Sequence, residues 1–179
     1  PTDNLLAFVS QQPFDYLFSI NNKAVLPKEI LDLPQQYAIN FHDLPLPKYA
    51  GVNVASWALM QREKAYGVTW HVMTELVDGG DILKQVPIDI NERETTFTLK
   101  VKLYEAAIRS FAELIDELSS GQAVALKQNL NERTYFPPSK RISSGGLLSF
   151  NRCAYELDAL VRALDFGPYP NPLGRAKLA

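Results

Sequence analysis

A chain of 179 residues with 46% hydrophobic and 21% charged side chains has the make-up of an ordinary folded domain, long enough to bury one sizeable core. A net charge of −2 gives no bulk attraction for nucleic acid or an anionic membrane, and no apolar run reaches the roughly 18 residues that a membrane-spanning helix needs. The single cysteine, Cys153, excludes an internal disulfide framework and a thiolate metal site; with nothing resembling a signal peptide, the expected location is the cytoplasm.

Thr2 or Asp3 can cap a short helix carrying Leu5, Leu6 and Val9, which Pro13 ends. The aromatic and β-branched run Tyr16-Leu17-Phe18-Ser19-Ile20 predicts a buried strand of the parallel type. Asn21-Asn22-Lys23-Ala24 turns the chain, Pro27 opens a short helix over 28–31, and Tyr37-Ala38-Ile39-Asn40 is the next strand, which completes a βαβ unit. The Pro-rich segment 43–51 reads as a loop shaping a pocket, followed by a helix over 54–60 and a strand over 66–74. After the loop Val77-Asp78-Gly79-Gly80-Asp81 comes a strand over 82–90, which Pro87 confines to a sheet edge.

Phe97, Val101, Tyr104, Ile108, Phe111, Ile115 and Leu118 recur alternately four and three residues apart. They predict one long helix, capped by Thr95 or Thr96 and closed at Gly121, with this stripe buried against the sheet. On that reading Ile108→Asp strands a charge in the core. Beyond residue 121, Ala123-Val124-Ala125-Leu126 reads as a strand and Ser143-Ser144-Gly145-Gly146 as a flexible joint. A further helix is expected to turn Leu157, Leu160, Val161 and Leu164 inward, with Cys153 as a buried structural thiol beside it. Residues 166–174, broken by three prolines, read as a linker or wrap-around tail.

Three polar side chains stand out: Asn40, His42 and Asp78. Two residues apart, Asn40 and His42 share one face of a strand. At the carboxyl end of a strand in an α/β sheet, that face borders the crevice where ligands bind. A strand end with an Asn turn and a hydrogen-bonded His accounts for these two residues equally well, until the Asp78 loop is added. An amide N–H can stabilise charge developing on a carbonyl oxygen, and an imidazole can donate to the same oxygen or relay a proton. A nearby carboxylate raises the imidazole's pKa and can take a proton, through water, from an attacking amine. The set suits acyl transfer to an amine without a covalent enzyme intermediate; no Gly-x-Ser-x-Gly nucleophile motif is present. His71 reads as a core or supporting histidine, Asp81 as a minor site candidate, Glu75 as a residue beside the loop, and Lys48-Tyr49 as a possible meeting point for an acceptor. Two histidines in the whole chain give no zinc pattern, so no metal is expected.

The run Asn40-Phe41-His42-Asp43-Leu44-Pro45-Leu46-Pro47-Lys48-Tyr49-Ala50-Gly51 resembles the Asn-x-His and Leu-Pro-x-x-x-Gly signature of the folate-dependent formyltransferases. Tyr66-Gly67-Val68-Thr69-Trp70-His71 and Val77-Asp78-Gly79-Gly80-Asp81-Ile82-Leu83 are similar to that family's second motif, in order and at the expected separation. The resemblance covers roughly residues 14 to 120. It implies a Rossmann-like α/β sheet flanked by helices, with Asn40, His42 and Asp78 as catalytic triad and 10-formyltetrahydrofolate as donor. The pterin would lie against two loops, Lys23-Ala24-Val25-Leu26 and residues 74–80, in which Thr74, Glu75, Val77, Gly79 and Gly80 are the candidate contacts. Val25 and Leu26 offer apolar walls, loop N–H and C=O groups read the polar edge, and Gly79-Gly80 turns where a side chain would collide.

The acceptor implied is a primary amine of aminoacyl or amino-sugar type. The Phe-His-Asp-Leu-Pro-Leu-Pro wording and Trp57 resemble formylation domains of peptide synthetases, which adds a carrier-bound amino acid and neighbouring synthetase domains to the expectations. Nucleic acid enters only if the acceptor is a charged tRNA. Asn53 stands where the ribonucleotide-type members resemble His, which argues against that substrate. The family's N-terminal strands and early Gly-rich turn have no counterpart here, so the expectation is a chain starting midway through the domain. The expected division is 1–121, the C-terminal part of the catalytic domain, and 122–179, an extension of helix and Pro-rich linker. Two alternatives stay open: a formyltetrahydrofolate hydrolase, and a non-catalytic folate-binding fragment.

Overall fold

The computed structural model describes residues 2–22 and 24–178. The first helix, α1 (Thr2–Val9), precedes β1 (Tyr16–Ser19), α2 (Lys28–Leu31) and β2 (Tyr37–His42), and the two strands pair in parallel, as a βαβ unit requires. The side chains that would cap α1 at Thr2 or Asp3 lie outside the described residues. A two-residue strand β3 (Ala50–Gly51) and the helix α3 (Val54–Met60) lead into β4 (Ala65–Val72) and β5 (Ile82–Asp89). These run antiparallel and extend the sheet in the order β1-β2-β4-β5. Pro87 lies on β5, the sheet edge, where its missing N–H costs no ladder bond.

The long helix α4 (Thr96–Ser119) begins at a capping box: Thr95 and Thr98 exchange side-chain and backbone hydrogen bonds. Gly121, at φ +69°, follows its end. Which face it buries differs from the sequence expectation. Ile108 is 74% exposed, and Val101, Tyr104 and Ile115 are exposed with it. The face against the sheet carries Leu99, Leu103, Ala106, Ala107, Ser110, Leu114 and Leu118. Alanines and a serine let the helix approach closely enough for the Trp70 indole N–H to donate to Ser110 Oγ at 2.9 Å. The Trp70 ring also stacks on Phe111 at 5.1 Å. A stripe chosen by large side chains alone therefore misplaces Val101, Tyr104, Ile108 and Ile115, while Leu118 is buried as expected and Phe111 packs against the core.

The segment after α4 departs from the expectations for residues 123–126, Cys153 and Val161. Residues 123–126 form no strand; Leu126 makes a single bridge to Ile82. Ser143–Gly146 is a turn of 3₁₀ helix. Cys153 is exposed at the start of α5 (Ala154–Ala163), on which Leu160 is buried and Val161 exposed. A feature with no local signature appears at β6 (Tyr135–Phe136), which pairs in parallel with β3. Gly51 permits this contact: at φ +116° a Cβ there would lie 2.1 Å from the Phe136 carbonyl oxygen. Phe136 stacks between Tyr49 and Trp57, and Lys140 lies over its ring at 4.2 Å. Among the described residues no helix is long and apolar enough to cross a membrane.

Candidate active site

Strand alternation brings Asn40 and His42 to one face at the end of β2, and both line a cavity of about 460 Å³. Asp78 reaches the same cavity from the loop between β4 and β5. His42 Nε2 stands 3.4 Å from Asp78 Oδ2, and its other ring nitrogen stands 3.6 Å from Asp43 Oδ1. His71, on β4, closes the cluster: its Nε2 is 3.3 Å from Asn40 Nδ2 and 3.8 Å from Asp78 Oδ1. The three side chains singled out from sequence are thus brought together, with His71 as a fourth.

The electrostatics follow from these neighbours. Burial alone would lower the pKa of His42, but hydrogen bonds and charge from Asp43 and Asp78 outweigh it and raise the pKa to about 9. Burial would likewise raise the carboxyl of Asp78, yet the hydrogen bond and charge of His42 hold it below the ordinary value. The result is a paired imidazolium and carboxylate inside a cleft at neutral pH. Asp78 adopts φ +56°, a left-handed conformation that a non-glycine residue takes at some cost.

The backbone around Asp78 is fastened from a distance. Gln128 Nε2 donates to the carbonyl oxygens of Asp78 at 3.0 Å and Gly80 at 2.5 Å. Arg133 donates to the Val77 carbonyl at 3.2 Å and lays its guanidinium over the Tyr135 ring. On the other side of His42, the Thr69 hydroxyl donates to the Leu44 carbonyl at 2.6 Å and accepts from the Leu46 N–H at 3.2 Å, which anchors the Pro-rich loop.

Of the expected donor contacts, Ala24, Val25, Leu26, Thr74 and Val77 line the cavity. Lys23 lies outside the described residues. Glu75, Gly79 and Gly80 do not line it. Gly80 shapes the loop instead, since a Cβ there would lie 1.9 Å from the Val72 carbonyl oxygen. Asp81 contributes its backbone carbonyl to the Val72 N–H at 2.8 Å, and its side chain stays out of the cavity. Tyr49 is buried, with its hydroxyl 2.6 Å from both Gln61 Oε1 and Glu63 Oε1, so it offers no surface to an acceptor. Sequence reasoning missed Ser19, Asn22, Val52, Met73, Tyr135 and Pro138 in the lining. The double Asn at 21–22 was a usable signal: Asn22 Oδ1 accepts the Ala24 N–H at 3.0 Å, an Asx turn that presents the 24–26 loop. Tyr135 and Pro138 had none, because their approach depends on the β3–β6 pairing.

The methionyl-tRNA formyltransferase of Thermodesulfovibrio yellowstonii is 34% identical over 170 residues, which cover 95% of this chain and 53% of that protein. The chain therefore spans about half the length of that relative. A 4-N formyltransferase from Francisella tularensis superposes with a TM-score of 0.82 at 22% identity, covering 96% of this chain and 69% of the other. An N-formyltransferase from Helicobacter canadensis, crystallised with folinic acid and dTDP-3-aminofucose, superposes with a TM-score of 0.76 at 22% identity, covering 87% and 57%. At such identities the likeness establishes a shared fold, the Rossmann-like α/β sheet of these enzymes. The formyl transferase family model matches residues 9–115, a stretch that holds Asn40, His42, His71 and Asp78, and the chain belongs to that family.

Proposed function

We propose that this chain catalyses transfer of a formyl group from 10-formyltetrahydrofolate to a primary amine, with Asn40, His42 and Asp78 as its catalytic residues. The observation that carries the reading is the His42–Asp78 pair at 3.4 Å, beside Asn40 in one cavity of about 460 Å³. The acceptor nitrogen attacks the formyl carbon, and a C–N bond forms as the carbonyl oxygen becomes negative. The Asn40 N–H and the charged His42 ring donate to that oxygen. Asp78 takes a proton from the attacking nitrogen through water, and collapse of the tetrahedral centre breaks the bond to N10 of tetrahydrofolate, which takes up the proton. Ala24, Val25 and Leu26 give apolar surface to the pterin, and the backbone of residues 74–80 reads its polar edge; the folinic acid bound by the Helicobacter canadensis enzyme supports this donor class. We read its setting as cytoplasmic.

For the acceptor, the relatives support two kinds of amine. One is named a methionyl-tRNA formyltransferase, and another was crystallised with an amino sugar carried on dTDP. The Phe-His-Asp-Leu-Pro-Leu-Pro wording supports a third, an amino acid held on a carrier next to synthetase domains. The test is to mix the chain with 10-formyltetrahydrofolate and, in turn, methionyl-tRNA, a dTDP-linked 3-amino sugar and an aminoacylated carrier protein. Formylation of one of them, abolished by His42→Ala, is the expected result. Formate release at full rate with no amine present makes the chain a hydrolase; folate-analogue binding with neither activity makes it a non-catalytic fragment.

A further inference from the structure

Asn40 and His71 stand directly opposite each other across the antiparallel β2–β4 ladder, so their side chains share one face of the sheet. His71 is 2% exposed, and its Nδ1 lies 2.9 Å from the Val72 carbonyl oxygen. A carbonyl only accepts, so the ring hydrogen resides on Nδ1. Burial pushes the pKa of this imidazole below its ordinary value, and the positive charge of His42 acts in the same direction. A neutral ring with its hydrogen on Nδ1 presents a lone pair at Nε2, and that lone pair faces Asn40 Nδ2 at 3.3 Å.

The contact matters because an asparagine amide has two ends of opposite polarity and nearly equal shape. A neutral His71 accepts one N–H of Asn40 and leaves the second N–H on the same nitrogen. A charged His71 would carry a hydrogen on Nε2 and would draw the amide oxygen towards itself, reversing the two ends. Besides the Val72 carbonyl, the group that would favour the charged ring is Asp78, whose Oδ1 lies 3.8 Å from Nε2. It has a nearer cationic partner in His42, at 3.4 Å.

We propose that His71 is a positioning residue: its Nε2 lone pair fixes the orientation of the Asn40 amide, so that the second N–H of Asn40 is the donor offered to the developing oxyanion. The amide lock stands on contacts within the protein alone; only its catalytic consequence rests on the formyl transfer proposed above.

The experiment has a structural arm and a kinetic arm. Long-range ¹H–¹⁵N correlation spectra of the two imidazoles at neutral pH, with and without 5-formyltetrahydrofolate, read the tautomers. His71 is expected as the neutral Nδ1–H form, with an Nε2 shift that changes in Asn40→Ala. A hydrogen on Nε2, or an Nε2 shift unmoved by Asn40→Ala, overturns the lock whether or not turnover is found. In the kinetic arm, His71→Leu is expected to lower kcat about 100-fold, the scale of one lost oxyanion donor, with KM for 10-formyltetrahydrofolate little changed. His71→Gln, whose side-chain oxygen can stand near the place of Nε2, is expected to recover at least tenfold of that loss. Equal kcat in folded Leu and Gln variants, or a loss confined to KM, overturns the positioning role. Should either variant fail to fold, the wild-type tautomer decides.

Discussion

Two histidines approach one carboxylate from neighbouring strands, and their surroundings drive them to opposite charge states. His42 ends β2 where the chain leaves the sheet, so Asp43 and Asp78 both face it, and together they raise its pKa to about 9. His71 lies one residue before the end of β4, still paired to β2 on one side and β5 on the other, and its nearest partners are a carbonyl and a neutral amide. Its pKa falls below the ordinary value because burial dominates. The same side chain thus provides a fixed cation at one position and a fixed lone pair at the other. The neighbours decide which: His42, where the chain leaves β2, meets the carboxylates of Asp43 and Asp78, whereas His71, paired on both sides, has a backbone carbonyl and a cross-strand amide as its nearest partners.

The sharpest way to break this comparison is to remove one member of the charged pair. His42→Ala and Asp78→Asn are each expected to lower the formyl-transfer rate about 10²–10³-fold while the fold persists, measured by turnover alongside circular dichroism. Near wild-type turnover in either variant rejects the assigned roles. Stability against pH tests the same pair with no substrate. The folded pKa of His42 lies above the ordinary 6.5, so its contribution is fully present below about 6.5 and is lost as pH rises through about 9. Denaturant melts are expected to show a loss of up to about 3 kcal/mol across that window, smaller in Asp78→Asn, where one raising partner is gone. Equal losses in the two proteins would contradict the pairing.

A smaller effect concerns the support of Asp78 between the two rings. Gln128→Ala removes the amide that holds the Asp78 and Gly80 carbonyls, and is expected to cost about 1 kcal/mol in stability and several-fold in rate. Unchanged turnover would show that the loop keeps its shape without this tie.

The four strands of the main sheet, the βαβ unit and the shared face of Asn40 and His42 were legible because a period of two leaves little choice of side. The role proposed for Asp78 needed the resemblance, since nothing local ties an aspartate before two glycines to a strand 36 residues earlier. Gln128, Arg133 and Tyr135 were illegible: they act through backbone carbonyls or through a two-residue strand pair, and neither leaves a pattern in sequence. On α4 the helix and its cap were read correctly, but its buried face was misread in part. Two stripes compete there, and the one with the smaller side chains packs closer. The smallest expected effect follows: Ile108→Asp changes stability by no more than about 0.5 kcal/mol, while Leu103→Asp on the opposite face costs several. Chemical denaturation of both variants checks this, and a severe loss at Ile108 would return the helix to the orientation first expected.

The account turns on the meeting of the β2 imidazole with the carboxylate of residue 78, and an NMR titration of the His42 ring tests it most directly. The account predicts a midpoint near pH 9 in the wild-type protein, falling in Asp78→Asn. A midpoint at or below 6.5, unmoved by that substitution, would mean that the two groups do not meet in solution.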